Sequence, residues 1–447
     1  MLIPFDEAGA VGILSGTPPY EVPPGAWTAG QNARMVDGAV HKFLGYQQVF
    51  DPPSVAPYWL LRTKTTTAYY WLYASLAKVY VTDGAAHFNI TRQTASVDVD
   101  YTATALRRWN GGVLGGIPIL NNGVDDPQMW SPVDTGQRLQ LLSNWPASTK
   151  AEIIRTFKNY LVALDITKGS TRYARMIKWS HAADPGAVPS SWDETDPAVD
   201  AAESELSETS DLLIDCKPLR DFNVVYKEGT TWAMQYIGPP YIFRFSRLFG
   251  EFGMLTRDCA AEFFGKHFVV SRDDIVVHDG QGAQSIFLKP ERKKMASALF
   301  GSIDTTNINR CFVVRLLSKS EVWFCYPESG STYCNKALIW NWRRDTLSLR
   351  DLPNVNFMRD GVISEGATTT WDADSDTWNS DTTLWDQATY SAANAELLAA
   401  GTNDTRLYKF DITEQANGVD FTSYVERTQI PLGETRFGVA RRYFIKE

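Results

Sequence analysis

A short run of aromatic and β-branched residues, a polar turn and a second such run recur seven times along the chain, and no other feature restricts the fold as much. The first copy, Tyr58 to Gly84, holds three such runs and closes on Asp83-Gly84, a pair suited to a tight hairpin. The second, Arg107 to Trp130, places Asn-Gly turns at Asn110 and Asn122 around "VLGGIPIL". Further copies span Phe157 to Ser180, Asp221 to Tyr236, Gly265 to Gly280, Arg310 to Trp342 and Ala399 to Thr413, and "KVYVTDG" and "DIVVHDG" match closely. Their closing strands, at Tyr80, Trp130, Trp179, Met234, Val276, Ile339 and Tyr408, lie 42 to 69 residues apart, the length of propeller blades with insertions. Amphipathic helical stretches are hard to find. The reading is an all-β, propeller-like fold of about seven blades with loop insertions; the alternative is a β-sandwich with a second β domain. Residues 1–50 are expected to close or lead into the propeller, 51–425 to form it with an insertion at about 360–395, and 426–447 to form a C-terminal segment.

At 447 residues the chain suits one large ring or two domains, and 15 Trp, 19 Tyr and 22 Phe supply bulky side chains for a β core. Lys and Arg number 43 against 52 Asp and Glu, a formal charge of -9 that disfavours tight non-specific attachment to phosphate backbones. Five cysteines without a C-x-x-C pair indicate core thiols rather than a disulfide framework or zinc ribbon. The start "MLIPFDEAGAVGILSG" has no basic n-region, and no apolar run approaches the ~18 residues of a membrane span, so folding in a cytoplasm is expected.

Catalytic signatures are weak. His41, His87, His181, His267 and His278 stand apart and outside H-E-x-x-H or H-x-H spacing. His278-Asp279-Gly280 matches Val81-Thr82-Asp83-Gly84 in another copy, which marks it as turn chemistry. "GGVLGG" at Gly111 lacks the Lys-Ser/Thr end of a phosphate loop, and no G-x-S-x-G elbow occurs. The acid pairs Asp125-Asp126 and Asp273-Asp274 read as turn residues, although such pairs can flank a sugar in a propeller glycosidase. No catalytic, cofactor-binding or metal-ligating residue is assigned.

"TTTWDADSDTWNSDTTLWDQ", Thr368 to Gln387, spaces Trp371, Trp378 and Trp385 seven residues apart. The intervening Asp, Ser, Thr and Asn exclude a coiled-coil seam, and Asp372, Asp374 and Asp376 lack the glycine and closing glutamate of an EF-hand loop. The stretch is expected to project as a loop, its three tryptophans packing on their own base or on a neighbouring chain; stacking on sugars is the alternative.

Pro23 to Tyr46, with Pro24-Gly25-Ala26-Trp27, Gly30-Gln31-Asn32, Val36-Asp37-Gly38 and Lys42-Phe43-Leu44-Gly45, resembles the opening of tail proteins from short-tailed bacteriophages. Arg175 to Asp193, the Trp-Asp insertion and "SYVERTQIPLG" (Ser423 to Gly433) are similar to other parts of the family. Val36 departs from the family's charged turn residue, and the chain ends sooner after Ser423 than some relatives do. The resemblance implies a tail nozzle, tubular or stabilisation protein in the virion. It would be a non-enzymatic propeller protomer of a homo-oligomeric ring, six-fold, below the head-tail connector. Its neighbours would be head-tail adaptor or portal-side proteins and tail fibre or needle proteins, and genomic DNA would pass through the lumen without sequence-specific binding. The competing reading is a propeller that binds or cleaves glycans.

Overall fold

The computed structural model describes residues 8–66, 68–363, 395–431, 437–438 and 443–444. The fold is an all-β propeller. Five four-stranded antiparallel sheets follow one another along the chain, with innermost strands Trp59–Lys64, Asn110–Leu114, Thr149–Phe157, Leu213–Leu219 and Ala260–Phe263. The remaining arc is one nine-stranded sheet rather than further separate blades, which corrects the expectation of about seven. The 16-residue strand Thr346–Gly361 produces the fusion. Its first half pairs with Cys334–Asn341, its second half with Glu396–Gly401, and the register shifts where it changes partner. One strand is thus the outer edge of the group that begins with Phe312–Leu316 and the inner edge of the next.

The ring is closed by the N-terminal segment, because Tyr46–Gln48 pairs antiparallel with Arg406–Phe410 at the end of the nine-stranded sheet. Residues at the two ends of the chain also meet in a three-stranded sheet, Ala29–Gln31 with Tyr424–Glu426 and then Tyr443–Phe444. The hairpin Ala33–Val36 to Ala39–Lys42 turns on Asp37 and Gly38, both at positive φ as a two-residue type I′ turn requires.

Blades stack face to face, so many strands are covered on both sides. Glu321–Tyr326 and Ile117–Asn121 are buried throughout, which is why the sequence shows continuous apolar runs more often than alternation. Trp59, Trp109, Trp130 and Trp323 fill one large core between the first two blades and the nine-stranded sheet. Phe268, Phe324 and Trp340 belong to another, beside the fifth blade. Helix is confined to Lys293–Ser302, which buries Met295 and Leu299, and three 3-10 turns among the described residues. None of these is long and apolar enough to cross a membrane.

The second blade departs locally from expectation. Its hairpin turns at Gly115 and Gly116, at φ 55° and 91°, and Asn110 sits inside the first strand. Two consecutive glycines accept the left-handed pair of angles at the lowest steric cost. Asn110 instead reaches the third blade, donating to the carbonyl of Glu152 and accepting from Ile154 N–H. Asn122 does make a turn, accepting from Val124 and Asp125 N–H.

Candidate functional site

The innermost strands converge on an axial cavity of about 670 Å³, lined by all five blades and by Phe312–Leu316 and Thr346–Gly361. Charged residues of the innermost strands, with Asp258 just before the fifth of them, meet here. Arg155 Nε lies 2.7 Å from Asp215 Oδ1, and its Nη2 lies 2.8 Å from both Asp215 Oδ2 and Asp258 Oδ1. Lys217 Nζ adds a 3.1 Å contact to Asp258 Oδ1. Burial opposes the charge on Asp215 and Asp258, but Arg155 and Lys217 outweigh it and hold both carboxyls below their ordinary range. Asp258 Oδ2 is buried and has no hydrogen-bond partner among the described residues.

A second chain of charges crosses the cavity. Glu262 Oε2 contacts Arg315 at 2.6 Å, Arg315 lies 3.9 Å from Asp360, and Asp360 lies 3.8 Å from Arg62. Arg359, on the innermost strand Thr346–Gly361, donates to the Leu60 carbonyl at 3.4 Å. Burial pushes its guanidinium down to about 10, against the opposing pull of Asp360. Where the chain enters the inner strands, Arg108 is 2% exposed and donates to the carbonyls of Arg257, Arg310, Cys311 and Asn356. It ties four separate segments together.

The other residues singled out in the sequence are dispersed. Asp83 and Asp279 each accept two backbone N–H bonds in equivalent turns. Asp125 accepts from Thr102 N–H and Asn122, and Asp274 from Ile275 N–H and Ser285. All five cysteines are buried and free. Among the described residues, no group of three or more His, Cys, Asp or Glu could hold a metal ion. Trp371, Trp378 and Trp385 lie outside the described residues, as do Asp372, Asp374 and Asp376. The axial charges were not anticipated; their trace in the sequence is a lone ionic residue inside an apolar run, as in "IIRTF" and "LLIDC".

No protein-family model and no curated protein matches the chain. Among solved structures it is similar to the computationally designed Ika8 protein, at 10% identity over 82% of this chain and 100% of that one, with a TM-score of 0.41. Raptor of Chaetomium thermophilum is similar at 7% identity over 83% of this chain and 29% of that one, TM-score 0.44. YCF48, solved bound to a D1 peptide, is similar at 12% identity over 84% and 96%, TM-score 0.41. Likenesses of this size carry no argument about activity.

Proposed function

We propose that the chain is a structural protein of a short-tailed bacteriophage virion, a propeller protomer of a nozzle or tail-tube ring around the path of DNA ejection. The observation that carries this reading is the spatial union of two distant segments that resemble the tail-protein family. Pro23 to Tyr46 and Ser423 to Gly433 are almost 400 residues apart in sequence, yet Ala29–Gln31 and Tyr424–Glu426 are paired strands. Asn32 donates to the Thr422 carbonyl at 2.8 Å, and Ser423 Oγ donates to the Asn32 carbonyl at 2.8 Å. Buried Arg427 donates to the carbonyls of Ala26 and Val22. The two segments thus form one hydrogen-bonded unit, which supports the reading. In the third segment, Trp192 is buried against Trp145, ring centroids 4.7 Å apart.

Two axial carboxylates, Asp215 and Asp258, do not suit the glycan-cleaving alternative. A glycosidase needs one acid held protonated near neutral pH, with a raised pKa. Asp215 and Asp258 are held low by Arg155 and Lys217 instead. In this reading, copies form a cyclic ring through heterologous contacts, six-fold by the family resemblance, and adaptor or portal-side proteins and fibre or needle proteins are its neighbours. Purified particles of the phage that encodes the chain test it by gold-labelled antibody. Label at the tail supports the assignment; label on the head surface, or no chain detectable in the particle, overturns it.

A further inference from the structure

The axial cavity has an excess of cations that its own carboxylates do not balance. Arg62, Arg155, Lys217, Arg220, Arg315 and Arg359 line it, against Asp258, Glu262 and Asp360, with Asp215 behind Arg155. Four of the six cations take part in the ion pairs described above. Arg220 and Arg359 have no ion pair among the described residues. Arg359 is only partly exposed, and its one hydrogen bond among the described residues is the long contact with the Leu60 carbonyl. An arginine in that position carries most of its fork of donors unused, and partial desolvation strengthens its attraction for an anion.

The remaining wall is apolar. Leu61, Val314, Ala260, Phe357 and Met358 share the lining, and a volume of about 670 Å³ falls in the range of small-molecule sites. A bare inorganic ion would leave most of this space unfilled. The chain as a whole carries a formal charge of -9, so its overall field repels polyanions and any attraction must arise from this local cluster.

We infer that the axial cavity is a binding site for a phosphorylated small molecule of up to nucleotide size, its phosphate drawn by the cations that line it, Arg359 and Arg220 among them, and its organic part against the Leu61, Phe357 and Met358 wall. Guanidinium forks match phosphate oxygens in bidentate fashion, which explains why arginine rather than lysine supplies the unpaired cations. A ligand here would touch innermost strands from opposite sides of the ring and couple their positions. This inference is independent of the tail assignment and stands or falls separately.

Isothermal titration of the full chain with inorganic pyrophosphate, ADP and citrate, at low and at physiological salt, tests it. Pyrophosphate and ADP should bind with one site per chain, ADP more tightly, and citrate at least about tenfold more weakly than ADP. Arg359→Gln should weaken ADP about tenfold or more, as should Arg220→Gln, whose exposed side chain makes misfolding improbable as the cause. Lys289→Gln, at a separate groove, should change nothing. Absence of binding, or equal affinity in the parent and both arginine variants, would overturn the site. Citrate binding as tightly as ADP would overturn its phosphate selectivity.

Discussion

Tyr226 and His267 are joined by a 2.6 Å hydrogen bond between the phenol oxygen and Nδ1, at a point where neither side chain reaches solvent. His267 Nε2 lies 2.9 Å from the Pro218 carbonyl, which can only accept, so that nitrogen carries the proton and Nδ1 is the acceptor of the Tyr226 hydroxyl. The phenol oxygen, its proton spent, then accepts from His278 Nε2 at 2.7 Å. His278 Nδ1 is left as a buried acceptor without a partner among the described residues. Both rings are therefore neutral, and burial pushes their pKa values down to about 4 for His267 and about 3 for His278.

Unfolded histidine titrates near 6.5, so below that pH the unfolded chain binds protons that the folded chain refuses. Stability from this cluster is fully present above about pH 6.5 and is lost as pH falls toward 4, at up to about 1.4 kcal/mol per pH unit for each ring. Urea titrations at pH 7, 6 and 5 should show this slope, and a His267→Gln, His278→Gln double variant should be less stable at pH 7 but flatter with pH. Parallel curves for parent and variant would remove the histidines from the account. Asp215, Asp258 and Asp411, buried and ion-paired with arginine and lysine, are held below the ordinary value of about 4 and leave this window clear.

Trp109 links the first two blades, with 1% exposure, a 2.7 Å bond from Nε1 to the Ser75 carbonyl and an edge contact with Tyr101 at 4.9 Å. Trp109→Ala should cost about 3 to 5 kcal/mol by denaturant unfolding. Trp109→Phe should recover much of this and still lack about 1 kcal/mol for the hydrogen bond.

Arg155→Met leaves Asp215 and Asp258 buried beside each other with Lys217 as their remaining cation. A loss of about 3 to 5 kcal/mol is expected. Adding Asp215→Leu and Asp258→Asn should restore part of it, since the penalty arises from uncompensated charge more than from lost attraction. A triple variant no more stable than Arg155→Met would contradict this.

Asn32 holds the left-handed conformation at φ 55° and bonds the Thr422 carbonyl, Asp351 Oδ2 and Asp351 N–H. Alanine there loses these bonds and pays for left-handed backbone, about 2 to 4 kcal/mol in all. Limited proteolysis should then cut first near the paired termini, while the blade hairpins stay protected. Uniform cleavage across the chain would show that Asn32 serves the whole propeller instead.

Much of the propeller was legible because blade strands buried on both faces read as apolar runs, and Asp83-Gly84 and Asp279-Gly280 punctuate them as turns. Asn110-Gly111 misled because Gly115-Gly116 competes more strongly for the left-handed angles, leaving Asn110 free to bridge blades. Thr346–Gly361 carries no break between its two pairings, only a register shift beside Asn354, at φ 52°, so the fused sheet leaves no turn signal. The axial cluster was illegible for a different reason. Arg155, Asp215 and Asp258 come from the third blade, the fourth blade and the approach to the fifth, and only the packing of successive blades brings them within 3 Å.

A cryo-electron reconstruction of the phage particle tests the central assignment most directly. A closed ring of copies of this chain is expected in the tail around the DNA path, each with its paired strands Ala29–Gln31 and Tyr424–Glu426 in place. A tail fully accounted for by other chains, or this chain present only as an isolated propeller away from the DNA path, would contradict it.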